Sequence, residues 1–328
     1  MSQISENIKI RQLSLDISWR DYIAIARPDH WIKHIFLVPG VVLAMILGVN
    51  PKFEFWVICA GFTVAALISS ANYVINEWLD AEFDAHHPVK SSRPAVSKKL
   101  SPKIIWAEYI VLSAMGLAIA YAVSIPLLIV AFLFLVSGWS YNIKPVRTKD
   151  KAYLDVASEA LNNPIRLLIG WVIVDMTTLP PSSLLLAYWA GGAFLMSTKR
   201  LAEYRNVTIT AGVEALHLYR ASFRGYSENR LLLQSFLYAQ IACFFIAIFL
   251  VKYRIEYIFS FPLFALLFTV YLRIGLKHGS AAQTPEKLLK EKVLSITVIV
   301  LIAVLVLLSY MDLPWLGFLS EPYLIKLF

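Results

Sequence analysis

Apolar residues fall along this chain in long unbroken runs, and the polar residues gather between them. Runs long enough to cross a bilayer, roughly 17–25 residues, lie near 33–49, 55–79, 103–123, 126–142, 152–174, 183–200, 231–251, 257–275 and 293–311. Pro51, Pro126, Pro180, Pro181 and Pro262 fall between runs or in first helical turns, where a missing N–H costs little. The pattern predicts an all-α integral membrane protein, a bundle of about nine transmembrane helices. Ahead of the first run, Trp19 to Pro28 predicts a short interfacial helix. The chain then divides into a cytoplasmic N-terminal segment, 1–30, and one transmembrane domain, 31–328. The first thirty residues have no apolar stretch of the kind a cleavable signal needs.

The connecting segments alternate in length. Those after the first, third, fifth and seventh runs are tight; those after the second, fourth, sixth and eighth are long and charged. Twenty-five lysines and arginines lie on the side of the long segments and of the N-terminus, against four on the other: Lys52, Lys252, Arg254 and Lys326. Cytoplasmic loops carry the excess of Lys and Arg. The expected orientation is therefore N-terminus inside and C-terminus outside, in a multi-pass cell-membrane protein whose chemistry faces the cytoplasm.

Composition agrees. Apolar residues make up 59 % and charged ones 16 %, which is too little charge to clothe a soluble surface. The net charge of +8 is explained by loops facing anionic lipid, and nucleic acid is not an expected partner. Cys59 and Cys243 sit in apolar runs and form no metal-binding spacing.

The second run ends in Asn76-Glu-Trp-Leu-Asp80-Ala-Glu-Phe-Asp84. On a continuing helix Asn76, Asp80 and Asp84 share one face, neighbours about 6 Å apart along the axis. Two carboxylates one turn apart suit Mg²⁺, which takes one or two carboxylates and completes its shell with water and substrate phosphate. A carboxylate costs less at a membrane edge than at a helix centre. His86, His87, Lys90 and Arg93 follow at once and supply donors for phosphate oxygens, Arg with bidentate geometry. An isolated pair of acids at this spacing would be read as a solvated loop; Asn76 and the basic tract beside a membrane boundary favour a site.

This row resembles the first signature of the UbiA superfamily of intramembrane prenyltransferases, and the resemblance runs from about Arg27 through the last apolar run. Tyr141-Asn-Ile-Lys144-Pro-Val-Arg147, leaving the fourth run, is similar to the family's Tyr/Lys segment. His87-Pro-Val-Lys90-Ser-Ser-Arg93-Pro and Arg27-Pro-x-x-Trp31-x-Lys33 look most like the branch that transfers phosphoribose from phosphoribosyl diphosphate to a polyprenyl phosphate. Glu77 stands where many members carry Asp, one methylene longer, within reach of a metal-bound water. The resemblance implies a Mg²⁺-dependent transferase with an isoprenoid lipid substrate and a diphosphate-bearing donor. Asp80 and Asp84 would bind the metal. Lys144 and Arg147 would close over the donor or hold the acceptor phosphate.

Many members carry a second Asp-rich motif after the sixth span. Here that place reads Ser197-Thr-Lys199-Arg200-Leu-Ala-Glu203-Tyr204-Arg205. One carboxylate among three cations is a poor metal cage and a better phosphate cradle, so Lys199 and Arg200 are expected to bind substrate phosphate. Snorkelling to headgroups is the competing explanation, strongest for Arg205. In the fifth run Asp155, Glu159, Asn162 and Arg166 recur at helical spacing, which predicts a polar stripe. Asp155, nearest the cytoplasmic face, is the functional candidate there; Arg166 is expected to pair with Glu159 or Asn162. Prenylation of an aromatic or lipid acceptor is the alternative reaction. A non-catalytic transporter or scaffold is disfavoured by the gathering of charge at one membrane edge.

Overall fold

The computed structural model describes residues 17–85, 90–277, 279–283, 288 and 290–319, and the regular elements among them are all helical. The described residues form two compact units. One comprises those up to Ser158 together with Ile165–Leu179 and Glu214–Arg224; the other comprises Glu159–Pro164, Pro180–Val213 and those from Gly225 onward.

The first unit opens with α1 (Trp19–Ile25), whose start is fixed by a capping box: the Ser18 hydroxyl accepts from the helix while the Asp21 carboxylate accepts from the Ser18 N–H at 2.8 Å. A 3₁₀ stretch from Pro28 to Leu37 leads into α2 (Val38–Leu47). α3 (Phe55–Leu79) and the short α4 (Ala81–Asp84) and α5 (Pro94–Ser97) come next, then α6 (Pro102–Val123) and α7 (Ile125–Asn142). α3 packs most extensively on α6 and α7. Val64, Ala65, Ile68, Leu127, Phe134, Ile169 and Trp171 close the core. Small residues allow close approach. A Cβ on Gly170 would run into the Leu37 carbonyl, and one on Gly40 into that of Leu167.

The predicted fifth span is broken. α8 (Leu154–Ala160) and α9 (Asn162–Val172) are separate helices, with Pro164 in the first turn of the second, where proline removes no helical hydrogen bond. The sixth span also differs, because α10 (Ser182–Tyr219) continues well past Arg200 into the segment expected to be a charged loop. Residues 201–211 contain neither Gly nor Pro, and the left-handed interruption falls at Gly212, with φ 83°.

In the second unit, α11 (Glu228–Tyr253), α12 (Phe261–Gly275) and α13 (Lys292–Ser309) pack in sequence, around Phe194, Ala202, Tyr271 and Ala282. Among the described residues, seven helical stretches are long and apolar enough to cross a membrane; the split fifth and the extended sixth are not among them. Large apolar side chains such as Ile32, Phe132, Leu233 and Ile299 stand exposed on these stretches, as lipid-facing surfaces require in a multi-pass membrane protein.

Candidate active site

α3 does not run unbroken through the acidic row. It stops at Leu79, and Asp80 caps it with φ −96° and ψ −2°. The turn continues, because the Asp84 N–H donates to the Asp80 carbonyl at 2.8 Å. Asp80 and Asp84 thus remain one turn apart and line a single open cleft with Phe83, Lys90, Arg147, Lys149, Asp150, Arg220 and Ala221.

Each acid is met by two cations. Asp80 Oδ1 lies 2.6 Å from Lys149 Nζ and 3.0 Å from Arg147 Nη2. Asp84 pairs with Arg93 and, at 3.6 Å, with Lys90. Arg147 takes a left-handed conformation, φ 28°, just after α7, and this folds the following turn back toward the acids. Its guanidinium donates to the Asn142 carbonyl at 3.0 Å and to Asp150 at 2.7 Å, and it lies over the Phe83 ring. Burial would raise the Asp80 carboxyl, but Lys149, then Arg147 and Arg220, outweigh it and hold the group below the usual carboxylate range. Burial pushes the Lys149 ammonium down to about 8, against the pull of Asp80.

Two predicted residues stand behind the cleft. Asn76 does not line it; its amide donates to Asn142 Oδ1, which also accepts from Lys149 at 2.9 Å. Asn142 in turn donates to the Gly138 carbonyl at 2.8 Å, so Asn76 and Asn142 brace the lysine. Asp155 is fully buried. It accepts from Ser222 at 3.0 Å and faces Arg220 at 3.4 Å, while Arg220 donates to the Tyr141 hydroxyl at 2.9 Å. Asp155 therefore positions a cation that lines the cleft.

Other residues lie elsewhere. Lys144 is exposed and absent from the cleft lining, and His87 lies outside the described residues. Glu77 pairs with Arg27 at 2.6 Å, and both are largely buried. In the second unit Arg200 is held between Glu159, at 2.7 Å, and Glu203, at 2.8 Å. Lys199, beside it on α10, is half-buried, and Arg205 approaches Glu228 at 3.4 Å. Two carboxylates rather than one thus answer these cations, because Glu159 joins from α8. Glu159 binds Arg200, and the Arg166 guanidinium lies over the Phe134 ring at 5.3 Å.

Lys149, Asn142, Asp150 and Arg220 were not singled out from the sequence as site residues. Lys149 and Arg220 are two of the twenty-five cations on the basic side, and Asn142 lies within Tyr141–Arg147. The described residues contain no group of three His, Cys, Asp or Glu able to hold a metal. Asp80 and Asp84 are hard oxygen donors, numbering as many as Mg²⁺ usually takes from a protein, and they line one solvent-open cleft, so the residues fit that ion.

Comparison with known proteins decides the family. The model of the UbiA prenyltransferase family matches residues 37–289. The chain belongs to that family. It is 26 % identical over 182 residues to the decaprenyl-phosphate phosphoribosyltransferase of Mycobacterium tuberculosis, covering 54 % of this chain and 58 % of that one. To the enzyme of the same name from Mycolicibacterium smegmatis it is 25 % identical over 207 residues, 61 % of this chain and 63 % of the relative. A 4-hydroxybenzoate octaprenyltransferase of Xylella fastidiosa is 28 % identical over 151 residues, 44 % of this chain and 50 % of that one. The chain thus spans about six-tenths of the length of the phosphoribosyltransferases it matches. Among solved structures, a UbiA homolog from Archaeoglobus fulgidus bound to DMAPP and Mg2+ shares the fold, with TM-score 0.66 and 21 % identity, over 89 % of this chain and 100 % of that one.

Proposed function

We propose that the protein is a Mg²⁺-dependent transferase that displaces diphosphate at the membrane, moving 5-phosphoribose from phosphoribosyl diphosphate to a polyprenyl phosphate. The observation that carries this reading is the cleft itself, where Asp80 and Asp84 are each matched by two cations. The likeness to phosphoribosyltransferases supports the choice of donor.

Mg²⁺ held by Asp80 and Asp84 would neutralise charge on the departing diphosphate. Arg147 offers phosphate oxygens a planar fork, and Lys149 a compact charge in a low-dielectric setting. Arg220, held by Asp155 and Tyr141, gives a third cation of fixed direction. Lys90 and Arg93 close the side nearest Asp84, and His87 belongs to the same tract. Lys199 and Arg200 are assigned to substrate phosphate as well, with Glu159 and Glu203 setting the direction of the Arg200 guanidinium. In this reaction the bond from the anomeric carbon to diphosphate breaks as a phosphate oxygen of the acceptor forms the new one.

The second reading is prenyl transfer from a polyprenyl diphosphate to an aromatic or lipid acceptor, favoured by the likeness to the octaprenyltransferase. There the diphosphate leaves an allylic carbon instead. In either case the reading includes nine crossings, counting α8 with α9 as one and α10 as another, with the N-terminus and the cleft cytoplasmic. Equilibrium binding separates the two. The phosphoribosyl reading expects Mg²⁺-dependent binding of phosphoribosyl diphosphate that unlabelled prenyl diphosphate displaces poorly; selective binding of prenyl diphosphate would install the second reading in its place.

A further inference from the structure

α1 lines no part of the cleft, yet it is tied to the chain on both sides of the acidic row. Its last residue, Ile25, is fully buried and clusters with Val74 and Ile75 of α3, Ile105 of α6 and Leu100. Two polar contacts join α1 to the segment that follows the basic tract. The Lys98 ammonium donates to both Asp21 oxygens, at 2.8 and 2.9 Å, and the Tyr22 hydroxyl accepts from the Ser101 N–H at 3.1 Å. The Asp21 side chain is 13 % exposed and that of Lys98 25 %, so the pair is better shielded than an ion pair in open solvent. Just past the other end of α1, the Arg27 N–H donates to the Ala24 carbonyl at 3.1 Å, and its guanidinium holds Glu77 in the last turn of α3.

The anchored segment leads straight back to the cleft. The Lys98 N–H donates to the Pro94 carbonyl at 3.0 Å, and the Ser97 and Val96 N–H groups donate to the Arg93 carbonyl at 2.9 and 3.0 Å. The Ser97 hydroxyl donates to that carbonyl as well, at 3.0 Å, and the Arg93 N–H donates to the Lys90 carbonyl at 3.0 Å. From Lys98 back to Lys90 the backbone is therefore one run of hydrogen-bonded turns, with α5 inside it. α5 touches α1 on one side and α4, which carries Asp84, on the other. Lys90 and Arg93, the two cations that meet Asp84, stand at the far end of this run. Long side chains have many rotamers, so their aim depends on how firmly their backbone is held.

We infer that α1 is a positioning element for this side of the cleft: Asp21 and Tyr22, acting through Lys98 and Ser101, set where the Lys90–Arg93 turn stands and so hold its two cations against Asp84. Asp21, Tyr22 and Lys98 touch no substrate; they act through Lys90 and Arg93. This rests on the proposed function only where its two reactions agree, on a diphosphate held beside Asp84.

The test makes two measurements on the full-length protein in nanodiscs: equilibrium binding of Mg²⁺–pyrophosphate, and amide hydrogen exchange at Val96, Ser97 and Lys98. Lys98→Gln removes a positive charge and Asp21→Asn a negative one, so an effect of charge alone would move pyrophosphate binding in opposite directions. Positioning expects both variants to weaken binding, by about five- to tenfold, and both to speed exchange by about tenfold or more, with Lys98→Arg restoring both readouts. Neither variant should add to the loss that Lys90→Ala with Arg93→Ala already causes. Tyr22→Phe, which leaves every charge in place, should shift both readouts in the same direction, and it carries the test if the charge variants do not fold. Unchanged exchange, opposite shifts in binding, or losses that add to those of the Lys90 and Arg93 changes would each overturn the inference. If the unmodified protein binds no Mg²⁺–pyrophosphate while exchange still depends on Lys98, the reading of the cleft fails and the anchoring by α1 stands. If pyrophosphate binds and exchange is indifferent to Lys98, the reverse holds.

Discussion

Replacing Lys149 by alanine is the sharpest perturbation of the cleft. The ammonium sits 2.6 Å from Asp80 and 2.9 Å from Asn142 and is only 4 % exposed, so little water can replace it. Breaking a fully buried ion pair costs about 3–5 kcal/mol. Asp80 keeps Arg147 at 3.0 Å and is itself 21 % exposed, so the cost to folding should be smaller, about 2 kcal/mol. For a phosphorylated substrate the loss falls in the range of about 2–5 kcal/mol for removing one partner of a desolvated charge pair, and each 1.4 kcal/mol is tenfold. The expected result is a fall in kcat/KM of roughly 30-fold or more, measured with saturating Mg²⁺ on protein whose thermal unfolding is still cooperative. Lys144→Ala serves as the internal comparison. Lys144 is five residues away but exposed, and its loss should change the rate by no more than about twofold. A folded Lys149→Ala protein as active as the parent, or equal losses at both lysines, would mean that the buried Lys149 ammonium does not engage the substrate.

Asp80→Asn and Asp84→Asn should each abolish turnover while leaving the protein folded, and EDTA should do the same until Mg²⁺ is restored; substantial activity in either variant would remove that pair as the metal site. Asp175 lies outside the apolar spans and accepts from the Val49 N–H at 2.8 Å and from the Thr177 and Thr178 hydroxyls at 2.6 Å each. Burial would raise its carboxyl, but these bonds hold it well below the ordinary value of 3.8. A depressed carboxylate stabilises fully above its unfolded value and loses that contribution as pH falls, so Asp175→Asn should lower Tm at pH 7 and the difference should shrink below about pH 4. Gly170→Ala should cost about 1–3 kcal/mol or prevent folding, because its Cβ meets the Leu37 carbonyl, whereas Gly191→Ala, with nothing within 4 Å, should be tolerated. For orientation, a cysteine at Ser91 should resist impermeant labelling from outside intact cells and react after permeabilisation.

The acidic row was legible because its signal is local. Asn76, Asp80 and Asp84 share a helical spacing, and the capping kink at Asp80 does not separate the two acids. The apolar runs were legible for the same reason, and α3, α6 and α7 begin and end within a residue of the boundaries read from the sequence. What could not be read depends on partners distant along the chain or on unusual backbone. Lys149 meets Asp80 from a turn in which Arg147 takes a positive φ, which an arginine does not advertise. Arg200 finds Glu159 across 41 residues, and Glu77 finds Arg27 across 50, so neither pairing leaves a mark in local spacing. Asp155 was singled out for its position near the membrane edge. Its contact with Arg220 makes it a support for the cleft, and that role is invisible until the chain is folded.

Phosphoribosyl transfer at this cleft, the activity proposed above, is open to direct test. Purified protein incubated with Mg²⁺, labelled phosphoribosyl diphosphate and a polyprenyl phosphate should move the label into the lipid fraction and release one diphosphate per product, and Asp80→Asn protein should not. Retention of all label in the aqueous phase, together with transfer from labelled prenyl diphosphate to an aromatic acceptor under the same conditions, would contradict it.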